Sequence, residues 1–271
     1  MVTFLFWNIN SQPLSESITK LVFEHDVDFL ILAESDLPNV EFIKSLNSQG
    51  GAMFNVAPPG LLGPVKIYSR FPSQCVKPIS DSGHIAIRHI VPPVGNDVLL
   101  VAVHLPSKLH QSEADQTLNC PLFVQTIEEA ENKVGHTRTL VIGDLNMNPF
   151  ENGIVGAACF HSVMDRRIAS RGTRQVLGKD YRFFYNPMWS CFGDISPGPP
   201  GTYFYNTAKQ VNLYWNIFDQ VLIRPDLLDT FLEENLKVLT EVSSSTLLSE
   251  SGRPDRRTGS DHLPILLRLK L

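Results

Sequence analysis

Two apolar runs constrain the fold of this chain more than any other feature. Val98-Leu99-Leu100-Val101-Ala102-Val103 and Leu140-Val141-Ile142 carry no polar side chain on either face. Apolar runs this short read as strands covered on both sides. The stretch from His84 to Ile90 alternates instead, as a strand buried on one face does. Further strand-like runs occupy Val2 to Trp7, Asp28 to Leu32, Val65 to Tyr68, Thr139 to Ile142, Phe218 to Ile223 and Pro264 to Leu269. Helical spacing falls between them. Leu14 to Glu24 sets Leu14, Ile18, Leu21 and Val22 on one face, with Ser15 as its expected cap. Ser112 to Lys133 is acidic at its start and basic at its end, as a helix dipole favours. Pro225 to Glu234 opens on a proline, as a first helical turn allows. This mixture predicts an α/β protein of two packed sheets flanked by helices, because a plain doubly wound sheet would alternate strand and helix more regularly. No repeat or linker divides the 271 residues, so one domain over residues 1–271 is expected. Asp165 to Tyr214, rich in glycine, proline and aromatic residues, is expected to be mostly loop.

Polar residues sit where these apolar runs stop. Gly143-Asp144-Leu145-Asn146 follows one strand, and Gly259-Ser260-Asp261-His262 precedes another. A core strand needs neither a carboxylate nor an imidazole, and burying them without partners is costly. Trp7-Asn8-Ile9-Asn10 ends the first strand, with asparagines suited to a phosphate oxygen, a metal-bound water or simply a turn. Glu34 follows Ile31-Leu32-Ala33 and is either a hard-cation ligand or a solvated strand end. His104 ends the run at Val103 and can contact phosphate or act as an acid, and Lys108 offers a point charge nearby. Asp219 lies inside Ile217-Phe218-Asp219-Gln220-Val221 and needs a partner, for which His262 is the candidate.

Taken in order, these pieces resemble the endonuclease/exonuclease/phosphatase superfamily, the DNase I-like fold. The resemblance runs from Trp7 to Pro264, and Tyr68-Ser69-Arg70-Phe71-Pro72 adds to it. It implies a four-layer α/β/β/α sandwich that hydrolyses phosphate esters with Mg²⁺ or Mn²⁺. On that resemblance Glu34 is the main metal ligand, with Asn10 and Asp261 near the ion and Asn8 beside it. Asp144 orients or deprotonates the attacking water and Asn146 holds a phosphate oxygen. His262, oriented by Asp219, stabilises charge on the scissile phosphate, and His104 is a second phosphate contact or the leaving-group acid. Asn10 stands where several members carry Asp, which removes one negative charge near the metal.

Composition bears on the substrate. A net charge of −5 argues against a protein that coats nucleic acid, though not against a local basic groove. Arg166, Arg167, Arg171, Arg174, Lys179 and Arg182 precede Phe183, Phe184, Tyr185 and Trp189, a pattern suited to a nucleic-acid strand. Arg171 and Arg174 are therefore expected substrate contacts, together with Lys108, Arg70, Arg256 and Arg257. A nuclease acting on DNA or RNA is the first reading. A phosphatase of a small molecule such as an inositol phosphate, or a non-catalytic binding module on the same scaffold, are the alternatives. No stretch approaches the ~18 apolar residues of a membrane helix. The apolar start lacks a basic leader and reads as a strand, so a cytoplasmic protein with four free thiols is expected.

Overall fold

Strand β1 (Val2–Asn8) sends Phe4 and Phe6 to one side and Leu5 and Trp7 to the other, and all four are fully buried. A strand can bury both faces only if another layer covers each. The computed structural model shows those layers and describes every residue apart from 49, 51, 52, 59–62 and 64. After β1 come α1 (Ser15–Glu24), β2 (Phe29–Ala33), α2 (Asn39–Leu46), β3 (Asn55–Val56), β4 (Val65–Ser69), β5 (Val76–Asp81), β6 (Ile85–Ile90) and β7 (Val98–His104). The middle of the chain holds α3 (Glu113–Val134), β8 (Thr139–Asp144), α4 (Asn152–Val155), β9 (Ser162–Val163), α5 (Arg166–Ala169), β10 (Thr173–Val176), β11 (Lys179–Arg182) and β12 (Phe184–Tyr185). The last part adds β13 (Tyr203–Phe204), β14 (Trp215–Asn216), β15 (Asp219–Ile223), β16 (Phe231–Val238), β17 (Glu241–Val242), β18 (Ser245–Thr246) and β19 (Ile265–Leu269).

One sheet has the order β16-β19-β1-β2-β4-β3, the other β5-β6-β7-β8-β15-β12-β9. Their inner faces share one core, in which Phe4, Phe6, Phe29 and Ile31 meet Leu100, Ala102, Leu140 and Ile142. The outer face of the first sheet packs Leu5, Trp7, Leu30 and Leu32 under Ile18, Leu21 and Val22 of α1 and Phe42 of α2. The outer face of the second packs Leu99, Val101 and Val141 under Cys120 and Ile127 of α3. The result is the expected four-layer α/β/β/α sandwich. Helix α3 is closed at both ends: Ser112 and Asp115 form a capping box, and Gly135 ends it at φ 81. Among the described residues no helix is long and apolar enough to cross a membrane.

Two expectations need correction. Leu14, not Ser15, occupies the cap position of α1, and no side chain caps it. Pro225 to Glu234 is not a helix. Pro225–Thr230 makes a short 3₁₀ turn and the chain then enters β16, because pairing with β19 satisfies its backbone where a helix would leave that sheet edge open. The stretch from Asp165 to Tyr214 is mostly loop, as expected, and within it lie α5, the hairpin β10–β11, the strand β12 and β13, which pairs with β14 just beyond it.

Candidate active site

The core leads directly into the site. Side chains two apart share a strand face, so the inward series Phe4, Phe6 on β1 continues to Asn8. In the same way Leu100, Ala102 lead to His104, Leu140, Ile142 to Asp144, and Ile223, Val221 to Asp219. Register then aligns these ends. His104 pairs with Asp144 across β7 and β8, Asp219 with Asp144 across β15 and β8, and Asn8 with Ala33, next to Glu34. Gly143 sits at φ 153, and a Cβ there would collide with the Val103 carbonyl, so only glycine brings β8 this close to β7 just before Asp144. Asn10, Glu34 and Asn146 also hold positive φ, at 44, 47 and 52. Left-handed backbone on three non-glycine residues just past the ends of β1, β2 and β8 is strain of the kind that collects at functional sites.

Asn8 bridges the two carboxylates, donating from Nδ2 to Glu34 Oε1 and to Asp144 Oδ2, both at 3.0 Å. His104 Nε2 lies 3.2 Å from Glu34 Oε1 and 4.0 Å from Asp144 Oδ2. On the other flank His262 Nδ1 is 2.8 Å from Asp219 Oδ2, and its Nε2 is 4.0 Å from Asp144 Oδ2. The expected Asp219–His262 pair is therefore formed. The Trp7 indole N–H donates to the His262 carbonyl at 2.8 Å and fixes the backbone. The Asn146 N–H donates to Asp144 Oδ1, while its side chain donates to the Leu105 carbonyl. Asp261 stands one step aside, accepting from Asn10 Nδ2 at 3.1 Å and from Arg256 at 2.6 Å.

Charge is shared unevenly. The hydrogen bond from His104, aided by Asn8, holds the Glu34 carboxyl at about 2 against the cost of burial. Burial works against charging His104, but Glu34 and Asp144 outweigh it and raise its pKa. Burial likewise opposes a charged His262, yet Asp219 and Asp144 lift it to about 10. Burial, and then the nearby Asp219 charge, raise Asp144. The site thus pairs an ionised, partly open Glu34 with a buried carboxylate that has affinity for a proton, between two imidazoles.

The donors fit a hard divalent cation. Glu34 and Asp144 supply carboxylate oxygens beside the amide of Asn8, and Glu34, His104 and Asp144 offer ligand atoms within 4.8 Å of one another. A second cluster, His89, Asp97 and His136, lies at the start of β7, the end opposite His104. There Asp97 is already engaged by Arg138 and by His89 Nε2 at 2.7 Å.

The expected substrate contacts divide. Lys108 is near the site edge, bound to Glu151, which also holds Asn148. Arg256 and Arg257 lie on the loop before Asp261, Arg256 on Asp261 and Arg257 on Asp255. Arg70 is a correction. It follows Ser69, which pairs with Phe29 at the start of β2, whereas Glu34 follows the end of β2. There it pairs with Asp26 and lies 5.1 Å over Phe54, a structural role. Arg171 and Arg174 are corrected as well. Thr173 pairs with Arg182, and Arg182 reaches Glu131, which binds the hydroxyl of Thr139, the first residue of β8. Asp144 is the last residue of β8, about 16 Å further along the strand. From Phe184 to Tyr185 the chain runs antiparallel to β15 toward the site, so the hairpin before it points away.

The sequence reading missed Tyr203. Its ring lies 4.6 Å from that of His262, and its backbone bridges the same residue. Burial, with the charge of Asp261, pushes its hydroxyl up to about 12. Thr202 beside it receives the N–H of Asp219 on its hydroxyl. The run of strand-favouring residues Thr202-Tyr203-Phe204-Tyr205 was the available signal for a strand there.

Layer order and strand topology together define a DNase I-like fold. Residues 5–262 match the endonuclease/exonuclease/phosphatase family, and the chain belongs to that family, whose members hydrolyse phosphoester bonds. Solved structures share the fold at low identity. An AP endonuclease from Archaeoglobus fulgidus is 16% identical with a TM-score of 0.56, each chain covered fully. A family protein from Leptotrichia buccalis is 12% identical with a TM-score of 0.59, again over 100% of both chains. TDP2 from D. rerio, complexed with a single-strand DNA product, is 15% identical with a TM-score of 0.55, covering 100% of this chain and 99% of that one. No curated protein matches the chain.

Proposed function

We propose that this protein is a Mg²⁺- or Mn²⁺-dependent phosphodiesterase acting on nucleic acid. The observation that carries the reading is Asn8 joining Glu34 to Asp144, with His104 and the Asp219–His262 pair on either side. Glu34 would hold the ion, with Asn10 and Asp261 bordering it; bound there, the ion would supply Lewis-acid stabilisation of phosphoryl charge. Asp144, whose proton affinity is raised, orients the attacking water and accepts its proton. Asp219 accepts a hydrogen bond from His262 Nδ1, which leaves Nε2–H directed at a phosphate oxygen as negative charge grows. His104 donates at the same centre to a second oxygen or to the leaving group. Asn146, its backbone fixed on Asp144, adds a neutral contact. Lys108, Arg256 and Arg257 border the entrance.

A small phosphorylated molecule is the competing substrate, favoured by Arg256, which is 63% exposed beside Asp261. Hydrolysis of single-stranded DNA, duplex DNA, RNA and an inositol phosphate panel, with Mg²⁺, with Mn²⁺ and with chelator, tests both. The expected result is diester cleavage that chelator abolishes and that Glu34→Gln loses along with Mn²⁺ affinity by calorimetry. Cleavage confined to the inositol phosphates would select the second reading. Unchanged Mn²⁺ affinity in Glu34→Gln would overturn the metal assignment.

A further inference from the structure

The hairpin β13–β14 is fastened to the catalytic pair and carries aromatic rings outward from it. Its base is fixed by the Leu263 N–H donating to Thr202 O, by the Thr202 N–H donating to Asn216 O, and by the contact of Tyr203 with His262. Tyr205 stacks on Tyr203 with centroids 6.4 Å apart and planes 13° from parallel. Tyr203 is partly buried, whereas Tyr205 is 45% exposed. A file of rings therefore runs from the His262 imidazole through Tyr203 to solvent at Tyr205. Arg256, paired with Asp261, is the cation beside Tyr203, whereas Arg253 lies 4.2 Å over Phe204, whose side chain takes the opposite face of the strand.

We infer that Tyr205, stacked on Tyr203, is the platform for an unpaired nucleobase next to the scissile phosphate, and that it selects single-stranded nucleic acid. The inference rests on the phosphodiesterase reading of the site. An aromatic face is sequence-tolerant and binds the face of a base. A duplex keeps its base faces stacked on their neighbours, so a strand without a complement gains most from such a platform. The file is continuous with the catalytic pair, which places a base held on Tyr205 close to the phosphate that His262 addresses. Arg256, beside Tyr203 and 63% exposed, supplies positive charge for a neighbouring phosphate.

The test is a fluorescence titration of the full chain with a single-stranded oligonucleotide carrying 2-aminopurine, first with chelator and then with Ca²⁺. Stacking on tyrosine should quench the probe. Tyr205→Ala should weaken binding at least about fivefold, Tyr205→Phe should restore it, and the annealed duplex should bind more weakly than the single strand. With Mn²⁺ the Tyr205→Ala loss should appear in KM for the oligonucleotide and exceed any loss on a small chromogenic diester. Equal binding by wild type and Tyr205→Ala, duplex binding as tight as single-strand binding, or no quench in either buffer would overturn the inference. A wild type that quenches but hydrolyses neither substrate fails the phosphodiesterase reading alone. One that hydrolyses without quenching fails the platform alone.

Discussion

The hairpins β10–β11 and β13–β14 come from the same stretch of chain and occupy opposite ends of the sandwich. The first is rich in charge, with Arg174, Lys179 and Arg182, and looks in sequence like the nucleic-acid grip. It is fixed instead at the start of β8, where Arg182 and the buried Arg224 both reach Glu131, and Arg224 lies 3.9 Å over Phe184. The second hairpin has few charges and many rings, yet it is the one laid against His262. Charge density along a sequence shows which segment stays solvated. Proximity to the site depends on which strand end the segment is attached to, and β12 and β15 decide that.

The sharpest break in this comparison comes at the site-facing end. His262→Ala and Asp219→Ala should each lower kcat by about 10²–10⁴-fold, and the double variant should be little worse, because the two act as one unit. Steady-state rates on a chromogenic diester decide it, and fully multiplicative losses would separate the two residues. At the distal end the largest effect should fall on stability. Glu131→Ala leaves Arg224, 1% exposed, without its counter-charge and should cost about 3–5 kcal/mol by denaturant unfolding. The folded fraction should keep its turnover, and loss of turnover beyond loss of fold would tie the distal clamp to the site.

Titration gives a smaller, signed effect. His262 is raised to about 10 in the folded chain from about 6.5 when unfolded. Its contribution to stability is therefore complete below pH 6.5 and lost as pH rises through about 10. Melting with chelator at pH 6 and pH 10.5 should show wild type and His262→Gln converging at the higher pH, and a gap that widens would contradict the raised pKa. The least effect is expected from Arg171→Ala with Arg174→Ala. Oligonucleotide affinity should keep its dependence on salt, since these residues belong to the hairpin fixed at the start of β8, the end opposite Asp144. A flattened slope in a salt titration would return the groove to the distal hairpin.

Much of this was legible in the residues. The doubly apolar runs at Val98 and Leu140 required a sheet covered on both faces, and polar residues at the ends of inward-facing series marked the site. Asn8, His104, Asp144 and Asp219 carry that mark, because side-chain alternation is a local property that the sequence records, whereas Glu34 and His262 stand out only as polar residues flanking apolar runs. The Asp219–His262 pair could be named for the same reason: a buried acid needs a partner. Tertiary structure alone decided the roles of the arginines and of Tyr203. Arg70 and Arg182 lie at the opposite strand ends from the catalytic residues, and their partners, Asp26 and Glu131, are 44 and 51 residues away in the chain. Pairing over such distances depends on strand order and register. A run of charges or rings carries no record of either, whereas the alternation that buries one face of a strand is written residue by residue.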